Sequence, residues 1–309
     1  MLSALPSLLL LVINFPLFLF NVVLWGFLIT VFSIIKAALP IKPISRVLTF
    51  ILHACYRAWA WCNQRIMNLT NAIDWQIEGA ENLKKNGWYL LVANHQSWMD
   101  IFVLTQLALW RIPPPKFFLK ESLKWVPLIG SGCWGLDMPF MRRYTRAFLE
   151  KNPHLKGKDI ETTRRSCEKF KHTPTSIINF VEGTRITAEK QKNSPFTYLL
   201  SPRAGGIAFT LAAMEEQFEA MLNITLIYPG SNLIFWDMLN GRLKKVIVHI
   251  EMVPMTEIEQ GDYFNDDAFK EKFQHWLNER WQEKDALIAQ KLREEESGSQ
   301  VSSGFIKNH

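Results

Sequence analysis

The first thirty-five residues carry no charged side chain, and Lys36 is the first charge in the chain. About 18–20 apolar residues suffice to cross a bilayer, so the run is long enough for a membrane element. Pro6, Asn14, Pro16 and Asn21 interrupt it, which leaves open one tilted helix or a helix pair dipping into one leaflet. A cleaved signal peptide fits poorly, because no basic segment precedes the run and the run is too long. The next stretch, RVLTFILHACYRAWAWCNQRIMNL (46–69), is apolar on most turns with Arg and Trp interspersed. That pattern predicts an amphipathic helix lying on the same interface, although a packed surface helix shares it.

Past residue 70 the pattern changes to short β-rich runs alternating with helical ones. AIDWQIEG (72–79), GWYLLVAN (87–94), KFFLK (116–120), TSIINFV (175–181), MLNITLIYP (221–229) and KKVIVHIEMV (244–253) read as strands, with a further β-prone piece at 132–140. Helices are predicted over 97–110, 159–171, 204–218 and 264–293. This alternation predicts an α/β domain with a mixed, largely parallel sheet flanked by helices. The expected divisions are a membrane anchor over 1–35, an interfacial helical segment over 36–70, the α/β domain over 71–293 and a disordered tail over 294–309.

Composition adds direction. The chain has 309 residues, 48% of them hydrophobic, and a net charge of +6. Five basic residues and no acid lie between Lys36 and Ile73, so the positive-inside rule puts the chain after the anchor in the cytoplasm. Cys55, Cys62, Cys133 and Cys167 are scattered, without metal-site spacing, and a reducing compartment is the simpler assumption. Residues 142–171 hold ten basic residues against four acids, but few aromatics, unlike a stacking platform for nucleic acid.

Three short stretches offer chemistry. NHQSWMD (94–100) leaves a buried strand and sets His95 and Asp100 five positions apart. On a continuous helix the two would point about 140° apart; with His95 in the loop and the helix starting near Ser97 they can converge. A histidine backed by a carboxylate can take a proton from an alcohol. Ser97-Trp98-Met99-Asp100 also matches a capping box, and the two roles are compatible. FVEGTR (180–185) delivers a carboxylate, a glycine and a guanidinium at a strand end, with a Glu182–Arg185 loop salt bridge as the alternative. Phe140-Met141-Arg142-Arg143 and Lys120 place cations at strand ends, where they could converge on a phosphate or remain solvated.

NHQSWMD resembles the N-H-x-x-x-x-D block of the glycerophospholipid acyltransferases, the family of lysophosphatidate and lysocardiolipin acyltransferases. VEGTR is similar to its E-G-T-R block and FMRR to its F-x-x-R block. FLKESLKWVPLIG and LLSPRAGG resemble the lysocardiolipin-type branch, and WGLDMPF with ETTRRSCEKF and INFVEGTR resembles the bacterial YihG-type members. Val181 stands where many members have proline. The resemblance implies a glycerolphosphate acyltransferase-like fold, with His95 as general base on a glycerol hydroxyl and Asp100 as its orienting carboxylate. It implies an acceptor site of Phe140, Arg143, Glu182, Gly183, Thr184 and Arg185, with Lys120 as helper.

It further implies acyl-CoA or acyl-carrier protein as donor and a lysophospholipid as acceptor, most simply 1-acyl-glycerol-3-phosphate giving phosphatidic acid. No metal or cofactor and no nucleic acid is expected. The implied location is a bacterial inner membrane, with the domain on the cytoplasmic face. A thioester or lipid hydrolase using the same pair, and a non-catalytic membrane lipid-binding protein, are the alternatives.

Overall fold

The computed structural model describes residues 2–141 and 173–306. The predicted helix over 159–171, Arg142 and Arg143 lie outside the described residues. Two long helices come first, α1 (Ser7–Ala38) and α2 (Lys42–Thr70), packed on each other. Then follow β1 (Asp74–Glu78), β2 (Tyr89–Ala93), α3 (Met99–Arg111), β3 (Pro115–Phe117), β4 (Leu119–Lys120), α4 (Ile129–Gly135) and β5 (Phe140–Met141). The remainder is β6 (Ser176–Phe180), α5 (Ala188–Gln191), α6 (Ala204–Met214), β7 (Ala220–Ile227), α7 (Ile234–Leu239), β8 (Lys245–Pro254) and α8 (Asp267–Ile306).

The main sheet has the order β1-β8-β7-β2-β6-β3, and every pair is parallel except β7–β8. It is the mixed, largely parallel sheet that the alternation predicts. β2 is central and buried throughout, and its side chains alternate between two cores. Tyr89, Leu91 and Ala93 face α3 and α1, packing with Leu104, Leu222 and Ile224. Leu90 and Val92 face the other layer, with Ile207 of α6 and Leu277 and Trp281 of α8. α6 is apolar around most of its circumference because it lies between sheet and α8. Truncating a fully buried leucine such as Leu91 to alanine costs about 2–5 kcal/mol.

Three expectations are corrected. The β-prone piece at 132–140 starts inside the helix α4 and turns after Gly135, and only Phe140–Met141 is strand. α4 docks on α1 so closely that a Cβ at Gly135 would overlap Ser33 Oγ, and this tertiary contact overrides local strand preference. KFFLK is split, and its second half pairs with β5 in a separate two-stranded sheet. Lys120 and Phe140 are therefore not on the main sheet's edge. α8 runs into the segment expected to be disordered, where Glu295 accepts from Lys245 at 2.7 Å.

α1 is a single helix with Pro16 inside it. The asparagines that interrupt its apolar run face protein: Asn14 donates to Leu239 O at 2.8 Å and Asn21 to Asn63 Oδ1 at 2.7 Å. The opposite face is exposed and apolar, including Leu8, Phe15 and Phe20. By length and hydropathy α1 could cross a membrane.

Candidate active site

The site forms where β2 and β6 end side by side. Beyond Ala93, Asn94 continues the ladder with its side chain, donating to Leu226 O at 2.9 Å and accepting from Leu226 N at 2.8 Å. That clamp fixes where the loop leaves the sheet, and His95 follows it. Helix α3 starts at Met99, so His95 is in the loop and Asp100 in the first turn. The two side chains meet, with His95 Nδ1 2.8 Å from Asp100 Oδ2.

Asp100 is wholly buried and gathers several donors. Oδ2 also accepts from Gln96 N at 2.6 Å and Ser97 N at 2.9 Å, while Oδ1 accepts from Tyr228 Oη at 2.6 Å. With both backbone amides already donating to Oδ2, that oxygen has no place for its own proton, so His95 Nδ1 is the donor. Nε2 is then the basic nitrogen, and the ring is 15% exposed. Burial, with Asp100 beside it, pushes the Tyr228 hydroxyl well up, so it stays a donor. Capping and ring orientation are thus performed by one carboxylate. Phe180 stacks on the imidazole, with centroids 4.0 Å apart, and Phe117 lies beyond it.

The second motif turns sharply after β6. Gly183 has φ +70°, a conformation that favours glycine, and its N–H donates to Phe180 O at 2.9 Å. Glu182 is 2% exposed, and Oε2 accepts from His95 N at 3.3 Å. Ile186 N donates to His95 O at 2.9 Å, so the two motif loops are tied through the backbone of one residue. Burial pushes the Glu182 carboxyl up to about 8, against the smaller pull of the His95 and Leu200 amides and Lys284. Lys284 is buried in α8 and donates to Ile224 O at 2.7 Å; burial lowers its amine to about 7.

Arg185 is exposed and stacks over Trp98, 4.5 Å from guanidinium carbon to ring centroid. Among the described residues no ion pair joins it to Glu182, so the loop salt bridge is not formed. Thr184 Oγ1 accepts from Lys190 Nζ at 2.7 Å. The fold therefore unites His95, Asp100, Glu182, Gly183, Thr184 and Arg185. Lys120 and Phe140 sit on the small sheet, with Lys124 Nζ 5.4 Å from the Phe140 centroid. Arg143 lies outside the described residues. Among the described residues no group of three His, Cys, Asp or Glu side chains is arranged to hold a metal.

A model of the family described as Acyltransferase matches residues 74–229, which contain this whole cluster. The chain belongs to that family. Among its relatives is the 2-acyl-1-lysophosphatidylinositol acyltransferase of Saccharomyces cerevisiae, 27% identical over 253 residues, covering 67% of this chain and 62% of the relative. Lysocardiolipin acyltransferase 1 of Gallus gallus is 26% identical over 268 residues, covering 78% and 65%. The chain thus spans less than two thirds of these curated relatives' length. The solved structure of the 1-acyl-sn-glycerophosphate acyltransferase PlsC from Thermotoga maritima is similar at 19% identity, with a TM-score of 0.44, over 82% of this chain and 95% of that one.

The sequence motifs did not announce Asn94, Tyr228, Phe180 as a ring platform, or Lys284. Tyr228 ends the apolar run of β7, so a strand-end search would have found it. Lys284 gives no local signal, since its burial arises from α8 packing on the sheet.

Proposed function

We propose that this chain transfers a fatty acyl group from a thioester to the free hydroxyl of a lysophospholipid. The observation that carries the reading is the His95 Nδ1–Asp100 Oδ2 contact of 2.8 Å at the exit of the central strand, with the ring part-exposed beside the Glu182–Arg185 turn. His95 Nε2 takes the hydroxyl proton as the oxygen attacks the thioester carbon. Collapse of the tetrahedral oxyanion breaks the C–S bond, and the imidazolium returns its proton to the departing thiolate. Arg185, with Thr184 beside it, is assigned to an acceptor phosphate, with Lys120, Phe140 and Arg143 as further acceptor contacts. The names of the relatives support a lysophospholipid acceptor; 1-acyl-glycerol-3-phosphate giving phosphatidic acid is the specific reading.

The donor is acyl-CoA or acyl-carrier protein. Because one face of α1 packs lengthwise on the domain while its other face is apolar and exposed, α1 and α2 lie in one leaflet and hold the site at the interface. Cytoplasmic orientation follows from the basic residues after α1, and a bilayer of the bacterial inner-membrane kind rests on the YihG-type resemblance alone.

The test incubates purified full-length protein with labelled oleoyl-CoA or oleoyl-carrier protein and a panel of lysophospholipids, scored by mass spectrometry. A new diacyl product is expected, and His95→Ala should lower its rate by roughly 10²–10⁴ with the fold intact. Free fatty acid formed equally with and without a lysophospholipid would mean hydrolysis instead. Near-wild-type turnover in the variant removes the mechanism.

A further inference from the structure

A cavity of about 900 Å³ opens between the end of α1, the start of α2, α4 and the edge strand β3. It shares no lining residue with the His95 cluster. Thr173, at its wall, precedes β6, whereas Glu182 follows that strand, so cavity and active site are at opposite ends of β6.

Its walls are strongly cationic. Among the described residues that line it, Lys36, Lys42, Arg46 and Lys116 are cationic, and Asp137, which Lys36 engages at 3.0 Å, is acidic. Lys116 is 4% exposed, an ammonium held in the wall with Leu136 O accepting from it at 2.6 Å. The start of α2, at Lys42, is at the same wall, with no acid in its first turn. A 29-residue helix presents orphan amides and the positive end of its dipole there. His53 also lines the cavity; burial and the nearby Lys116 hold its imidazole down at about 4, so it is neutral.

The rim is apolar. Phe50 is 73% exposed and Trp134 45%, and the exposed apolar residues Ile34, Ile35 and Val47 continue outward along α1 and α2. A soluble anion would gain nothing from such a rim, whereas an amphiphile would lay its chains along it. Basic pockets between membrane helices suit acidic lipid headgroups for this reason. We propose that this cavity is a second lipid site, binding the phosphate headgroup of an anionic phospholipid that is neither acyl donor nor acceptor. Occupancy seats α1 and α2 on an acidic leaflet, whether or not His95 turns over.

The test measures binding of short-chain phosphatidylglycerol and phosphatidylcholine to the full-length protein in neutral detergent micelles, with inorganic phosphate and CoA as soluble competitors. Lys42 and Arg46 are exposed, so the double variant Lys42→Gln/Arg46→Gln should fold normally. It should weaken phosphatidylglycerol binding by about tenfold or more, the scale of losing charged hydrogen bonds. Arg185→Gln should leave that affinity unchanged, which separates the cavity from the active site. Equal binding of the two lipids, or unchanged affinity in the double variant, overturns the proposal. Displacement of phosphatidylglycerol by millimolar phosphate or CoA would make the cavity a soluble-anion site and overturn the lipid assignment.

Discussion

Asp100 and Glu182 are both almost wholly buried, and both touch His95, one through the ring and the other through the backbone amide. Their surroundings differ. Asp100 receives two backbone amides, the Tyr228 hydroxyl and the imidazole. Glu182 receives the His95 amide at 3.3 Å, and among the described residues its Oε1 makes no hydrogen bond of good geometry, although the Leu200 amide still favours its charged form. Fixed donors surround one carboxylate on both oxygens; desolvation pushes the other to about 8, so it holds its proton at neutral pH. Two buried acids whose environments diverge in this way are suited to different tasks. In the proposed mechanism Asp100 orients the base, and Glu182 is a neutral brace between the two motif loops.

Asp100→Asn breaks the comparison most directly. The neutral amide keeps one accepting oxygen for the Gln96, Ser97 and His95 donors and turns its NH₂ on the Tyr228 hydroxyl, so the imidazolium that forms on His95 loses its counter-charge. We expect kcat to fall by roughly 10²–10⁴, measured on the diacyl product with circular dichroism as the folding control. Activity within a few-fold of wild type would show that the carboxylate is only a cap.

Tyr228→Phe removes one donor from Asp100 and leaves the rest. A hydrogen bond to a charged group is worth about 1.5–3 kcal/mol, so kcat should drop by about tenfold or somewhat more while KM for the lysophospholipid holds. A rise in KM alone would place Tyr228 in substrate binding and not behind the base. Arg185→Gln should do the reverse, raising KM for a phosphomonoester acceptor by about tenfold and sparing kcat, since its guanidinium is exposed over Trp98 and makes no contact with the base. An unchanged KM would reject the phosphate role.

The His95–Asp100 pair was legible in the sequence because its geometry is local: a strand ends at Ala93, a helix begins at Met99, and the five positions from His95 to Asp100 close on each other. Tyr228 was not, because it reaches Asp100 across 128 positions through the pairing of β7 with β2. The Glu182 environment was equally hidden, since its partner is a backbone amide that no residue type announces. The main sheet followed from alternation, yet the small β4–β5 sheet and α4 did not, because α4 depends on docking against α1 and β4–β5 on pairing between segments apart in the chain, not on local preference. Asn14 and Asn21 read as breaks in a membrane run only until their carbonyl and amide partners are known.

The smallest effect is on stability, and it tests the other half of the comparison. Glu182 is raised from 4.5 to about 8, so the folded protein keeps a proton that the unfolded chain releases. Its contribution is complete below about 4.5 and is lost as pH rises through about 8. Lys284 works in the opposite sense: lowered from 10.5 to about 7, its contribution is complete above 10.5 and is lost as pH falls through about 7. Over the acidic side of neutrality Glu182 therefore dominates, and wild-type Tm should decline from about pH 5 to about 7. Glu182→Gln, which resembles the protonated acid, should flatten that decline while keeping kcat at pH 7 within a few-fold, whereas Lys284→Met should leave it in place and flatten the rise on the alkaline side. Scanning calorimetry of the three proteins across pH decides it. Parallel curves for wild type and Glu182→Gln would mean that Glu182 is charged in the fold, and the two carboxylates would then be alike.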